Sequence, residues 1–264
     1  MAAHDSAGRA SLPTVIAVAV VAYAAGDAVH ELVGHGSVAL LLSIKINAVS
    51  SVGLQSLTSS RLLSASGSLA NVLAGVISFL TLSHPRKSAS ANYFLWLFGF
   101  VNLMNATSYL LVSALLNSGD WSVVIAGLNP GWAWRVGMGL SGTGLYVLSI
   151  RWAAARMGNI VAKGALDRRD LFRFTFPAYI AGGVLLTLAS VFNPFSPSLI
   201  LMSGAGASFG VTWGLFFIPE MVRERTQSLN ASPQEFSLSW GWIALAAVTG
   251  IVFVAVFGRG LQFS

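Results

Sequence analysis

Two carboxylates and two imidazoles stand close together in Asp27-Ala28-Val29-His30-Glu31-Leu32-Val33-Gly34-His35. A histidine–glutamate pair followed by a second histidine on a helix is the arrangement of a zinc hydrolase. Two imidazoles hold the metal and the glutamate acts on water as a general base. The usual spacing is H-E-x-x-H, whereas here it is H-E-x-x-x-H. At about 100° per residue, His30 and His35 lie roughly 140° apart on a regular α-helix. A one-residue π-bulge brings i and i+5 onto one face, and Gly34 and Gly36 permit such a distortion. The regular helix offers a different set. Asp27, Glu31 and His35 are spaced i, i+4, i+8 and share a face, and Asp27 neighbours His30 at i+3. A site of Glu31, His35 and Asp120 with His30 behind it is therefore open, as is a metal-free carboxylate–imidazole network that relays protons.

The setting makes these groups unusual. Before them runs VIAVAVVAYAAG and after them VALLLSI, a membrane-spanning composition. An ionisable side chain at the bilayer centre costs roughly 2.5–3.5 kcal/mol on insertion scales, so four of them require a compensating use. Of 264 residues, 55% are hydrophobic and 9% charged, against about 25% charged in soluble domains. The chain therefore reads as an all-α, polytopic transmembrane helical bundle. There is no cysteine, which excludes disulfides, iron–sulfur clusters and thiolate zinc sites; any metal must take nitrogen and oxygen ligands. The net charge of +6 is carried by residues between spans, where it orients a membrane protein and does not signal nucleic acid.

The elements that must position the cluster are spans of about 20 mostly apolar residues. Hydropathy places them at about 12–42, 64–83, 92–117, 132–153, 174–192, 197–219 and 239–258. That is about seven spans, or six if the fourth, glycine-rich and containing Arg135, does not cross. The first is too long for a signal peptide and lacks a clear cleavage site, so it reads as a retained span. KINAVSSVGLQSLTSSR, after the first span, is too polar to cross and reads as a short β-hairpin or re-entrant loop. Arg86 and Lys87 follow the second span; Arg151, Arg156, Lys163, Arg168, Arg169 and Arg173 gather after the fourth; Arg223 and Arg225 follow the sixth. The positive-inside rule then puts the N-terminus inside and the C-terminus outside, in a plasma (inner) membrane, with Lys45 and Arg61 as minor exceptions.

Only nine acids are present, and six of them, Asp5, Asp167, Asp170, Glu220, Glu224 and Glu235, belong to the tail or polar loops. Asp27, Glu31 and Asp120 are left. Asp120 ends the third span, Asn71 lies early in the second, and the histidines lie in the second half of the first. All reach a similar depth whichever way the protein faces.

These segments resemble the site-2 protease type of intramembrane zinc metallopeptidase. His30-Glu31-Leu32-Val33-Gly34-His35-Gly36 is similar to that family's zinc-binding helix, with one residue more. Ser66-Gly67-Ser68-Leu69-Ala70-Asn71 is similar to its G-P-x-x-N segment, with Ser68 in the proline position. Asn102 and Asn105, followed by Gly119-Asp120-Trp121, are similar to its asparagine-bearing span ending in an L-D-G ligand motif, with the glycine before the aspartate. The resemblance covers residues 20–125 within one integral membrane domain of 1–264. It implies a metallopeptidase-like core at 12–125 and additional transmembrane helices at 126–264. It implies that His30, His35 and Asp120 bind Zn2+ and that Glu31 is the general base. Asn71, and less directly Asn105, would orient the substrate backbone or stabilise the oxyanion. The substrate would be a membrane protein or peptide, cleaved in or near the lipid bilayer. A proton- or ion-coupled transporter and a non-catalytic metal-binding scaffold are the alternatives from other classes.

Overall fold

Leu12–Leu41 is one continuous helix, α1, entered through Pro13 in its first turn, where the missing N–H costs nothing. The computed structural model describes residues 9–84, 87–226 and 234–263. Asp5, Arg86 and the side chains of Glu224 and Arg225 lie outside the described residues. After α1 come β1 (Ile46–Ser50) and β2 (Gly53–Ser56), then α2 (Arg61–Thr81) and α3 (Ala89–Leu116). A short α4 (Asp120–Ile125) leads to the long α5 (Gly131–Ala162). After α5 follow α6 (Leu171–Val191), a helical run α7 (Ile200–Gly210, Val211–Phe217 and Ile218–Thr226), α8 (Trp240–Phe257) and β3 (Leu261–Gln262). Ser60 and Ser88 cap α2 and α3, accepting from the backbone N–H of Leu63 and Ala91.

Among the described residues, six helices are long and apolar enough to cross a membrane: α1, α2, α3, α6, α7 and α8. The chain is thus an integral membrane protein built as an all-α polytopic bundle. Arg135, glycine and serine lower the hydropathy of α5, yet α5 lies antiparallel along the whole of α3. Near one end, Arg135 donates to Ala114 and Leu115 carbonyls, at the finish of α3. Near the other, Arg156 donates to Ser83, just ahead of the start of α3. Held near both ends of α3, α5 packs along it as a further long helix beside the six apolar ones.

The two ends of the bundle differ. At one end Ala10 N–H donates to Asp170 Oδ2 at 2.6 Å, Arg173 donates to Ala10 O, and Lys163 donates to Ser83 O. The basic segment 163–173 therefore shares one face with the start of α1 and the end of α2. At the opposite end β1 pairs antiparallel with β2 through Ala48–Gln55 and Val49–Leu54, as a hairpin. It also pairs with β3 through Val49–Leu261, a strand from the end of the chain that hydropathy does not reveal. The core between the ends is aromatic, with Tyr23, Phe79, Tyr93, Trp96, Phe100 and Phe174 fully buried. Their polar tips are satisfied across helices: Trp96 Nε1 donates to Ala153 O at 2.9 Å, Tyr93 to Phe174 O at 2.7 Å and Tyr23 to Thr212 at 2.9 Å. In an apolar medium those partners are what permits Trp and Tyr to be buried.

Candidate metal centre

Within α1, Val29–Gly36 is a π-helix, flanked by α-helix on both sides. Its hydrogen bonds reach back five residues, as where Ser37 N–H meets Leu32 O. The Ser37 hydroxyl donates to the carbonyls of Val33 and Gly34, supplying partners that a wide turn leaves short. The widened turn has one consequence that decides the site. His30 and His35, five apart, come onto one face, and their Nε2 atoms lie 3.2 Å from each other.

Asp120 meets them from the start of α4. Its Oδ2 is 3.2 Å from His30 Nε2 and 3.1 Å from His35 Nε2. The neighbouring Trp121 donates from Nε1 to Ser68 Oγ at 3.0 Å, tying α4 to α2 and fixing where Asp120 points. Four-coordinate zinc with nitrogen and oxygen bonds of about 2.0–2.2 Å needs its donor atoms about 3.3–3.6 Å apart. Three candidate donor atoms from two separate segments come within a few tenths of an ångström of that spacing. His30, His35 and Asp120 form a group that could hold a metal ion.

A hydrogen-bond chain sets the histidine tautomers. Asn102 Nδ2 donates to Phe98 O, so its Oδ1 faces Asn71 Nδ2 at 2.7 Å. Asn71 Nδ2 also donates to Gly26 O, which leaves Asn71 Oδ1 to accept from His30 Nδ1 at 2.7 Å. His35 Nδ1 donates to Leu63 O at 2.7 Å. Both imidazoles therefore carry a proton on Nδ1 and aim Nε2 at Asp120. Orientation of a ligating imidazole through its other nitrogen is the usual support of a metal site. Two nitrogen lone pairs and a carboxylate oxygen repel one another unless positive charge lies among them, supplied by protons or by a metal ion. Burial opposes ionisation of Asp120, but the hydrogen bonds from His30 and His35 outweigh it and bring its carboxyl down to about 2.

Gly34 and Gly67 let α1 and α2 approach this closely. A Cβ on Gly34 would lie 2.5 Å from Gly67 Cα, and a Cβ on Gly67 would lie 2.6 Å from both His30 Nε2 and His35 Nε2. Either would press into the space between the imidazoles and the α2 backbone.

Glu31 is buried on the same π segment, 6% exposed, and its Oε2 has no hydrogen-bond partner in the protein. With His30 and Asp27 it lines a cavity of about 260 Å³. Asn105 and Tyr109 of α3 also face this cavity, and the Tyr109 ring packs edge-on to His30 with centroids 5.6 Å apart. Met202 and Val211 of α7 and Leu186 of α6 close the far wall. Helices beyond residue 126 thus help to enclose the site.

His30, His35 and Asp120 converge, Glu31 and Asp27 line the adjoining cavity, and Asn105 faces it. Asn71 is fully buried with its amide engaged by His30, Gly26 and Asn102. It is turned toward His30 and is not among the residues lining the cavity. Sequence reasoning did not find the Leu63 carbonyl, which leaves no side-chain signal, nor the part of Asn102 in orienting His30. The spacing of Asn71 and Asn102 in adjacent spans was the available hint. No protein-family model matches the chain, and neither a curated protein nor a solved structure is detectably similar to it.

Proposed function

We propose that this protein is a membrane-embedded zinc metallopeptidase of the site-2 protease type, hydrolysing peptide bonds in or near the bilayer. The observation that supports this most directly is the convergence of His30 Nε2, His35 Nε2 and Asp120 Oδ2 at 3.1–3.2 Å, with both Nδ1 protons committed elsewhere. These three donors fit zinc: they are nitrogen and oxygen atoms, each imidazole keeps a proton on the nitrogen that faces away, and three protein ligands leave a fourth position free. Bound zinc would activate a water molecule and polarise the scissile carbonyl.

The chain's own residues divide the remaining work. Glu31, unpartnered and facing the cavity, takes a proton from water and returns it to the leaving amine. Asn71 and Leu63 O hold the imidazoles in register. Asn105, facing the cavity one turn from Tyr109, is placed to hold the substrate backbone. At about 260 Å³ the cavity has room for water and part of a substrate beside the proposed metal. The N-terminus and the basic loops lie on the cytoplasmic side of the plasma (inner) membrane, with the β-sheet end and the metal centre toward the opposite face.

Metal analysis of purified wild type beside His35→Ala and Asp120→Ala tests the site. About one zinc per chain is expected in the wild type and far less in both variants. Unchanged zinc in both variants would leave the metal-free proton relay as the better reading. Glu31→Gln should keep the metal and abolish cleavage; retained cleavage would remove Glu31 as the base.

A further inference from the structure

Three buried polar atoms with no hydrogen-bond partner in the protein belong to residues lining the same cavity: Asp27 Oδ2, Glu31 Oε2 and Ser51 Oγ. Each can accept a hydrogen bond, and burying such a group unpaired is costly. Glu31 is 6% and Ser51 5% exposed. The π segment of α1 supplies Glu31, the turn between β1 and β2 supplies Ser51, and that hairpin packs against the π segment. The other lining residues include Val52, Val112, Leu186 and Met202, and none of the lining residues is Lys or Arg.

The charge balance singles out Asp27. A divalent cation at the metal centre would be neutralised by Asp120 and by Glu31 beside it. Asp27 then stands as one further carboxylate facing the cavity without a counter-charge. It lies one turn before His30, an axial rise of about 4.5 Å, and both line the same cavity, so a group bound at Asp27 shares that cavity with whatever occupies the metal centre. An ammonium group matches these demands. It carries one positive charge, has three N–H donors for acceptors such as Asp27 and Ser51, and comes on an aliphatic stem suited to the apolar wall.

We propose that Asp27, with Ser51, forms a specificity subsite for an ammonium group of the substrate next to the scissile bond. A lysine-type side chain and a free amino terminus share this chemistry. The proposal rests on the metallopeptidase reading above.

The test uses the full-length protein in detergent, loaded with Co2+, and follows the cobalt absorption bands as hydroxamates bind. Caproic hydroxamate has an uncharged tail, ε-aminocaproic hydroxamate carries its ammonium at the far end, and norleucine hydroxamate carries it beside the metal-binding group. One of the two ammonium compounds should bind about tenfold or more tightly than the uncharged one, the increment expected of a charge-assisted hydrogen bond. The winner identifies the source, far-end ammonium for a side chain and near ammonium for an amino terminus. The preference should vanish in Asp27→Asn and Asp27→Ala and fall by about threefold in Ser51→Ala, which removes only a neutral acceptor on a turn. Equal affinities for all three compounds would overturn the subsite while leaving the metal centre standing. A preference that survives both Asp27 variants would overturn the assignment to Asp27. No spectral change with any hydroxamate would overturn the metallopeptidase reading itself.

Discussion

Gly67→Ala should remove the metal without removing a single ligand. A methyl group at Gly67 would lie 2.6 Å from both His30 Nε2 and His35 Nε2, whereas ordinary contact begins at 3.4 Å. Each imidazole must therefore retreat by about 0.8 Å, or α2 must move away by as much. Either movement strains the bonds that hold the imidazoles. The His30 and His35 Nδ1 atoms are tied at 2.7 Å to Asn71 and to Leu63 O, and Gly34 already abuts the α2 backbone. A working metal site tolerates ligand displacements of only about 0.2 Å. Loss of a mere supporting hydrogen bond costs 10–100-fold in affinity, so displacing two ligands should cost at least about 100-fold, or about 2.7 kcal/mol. The assay is zinc content and competition with a chelator of known affinity, with circular dichroism in detergent to establish that the bundle is intact. Gly144→Ala is the control, because a Cβ there meets nothing within 4 Å. A Gly67→Ala protein that binds zinc as the wild type does would refute the geometry derived for the centre.

Asn71→Ala should lower zinc affinity 10–100-fold, as expected when a ligand's orienting partner is lost; chelator competition reads this directly. Metal affinity should fall as pH falls, because both imidazoles must be deprotonated to bind. Zinc affinity that does not change between neutral and mildly acidic pH would count against the ligand set. Trp121→Phe removes the indole N–H bond to Ser68 that fixes α4. It should weaken zinc binding by a few-fold, in line with about 0.5–1.5 kcal/mol for one hydrogen bond. Trp96→Phe removes the indole N–H bond to Ala153 O and leaves space in a fully buried part of the core. It should lower thermal stability by about 1–3 kcal/mol while leaving zinc content unchanged, since Trp96 does not line the cavity.

The bundle was legible because hydropathy is a local quantity. Seven apolar stretches and a polar gap need no knowledge of what they touch, and the helices fall where the stretches do. The third strand of the sheet was not legible. Leu261–Gln262 is two residues long and gains its conformation only by pairing with β1, which lies more than two hundred residues away. The same distinction runs through the centre. His30, Glu31, His35 and Asp120 were visible as ionisable groups in a costly medium, whereas the Leu63 carbonyl is a backbone atom with no residue-type signal.

The sequence alone determined that ionisable groups are buried at a common depth in an apolar bundle, and that cysteine ligation is impossible. It left the histidines on divergent faces, because a spacing of five fits no regular α-helix. Only the tertiary structure decided that question. Close approach of Gly34 to Gly67 lets α2 seat against α1, and the Ser37 hydroxyl partners the carbonyls around the π turn. The bonds from Asn71, Leu63 and Asp120 then hold both imidazoles inward. A wide turn that is unfavourable by itself becomes the best arrangement once those partners, all from other segments, are in place.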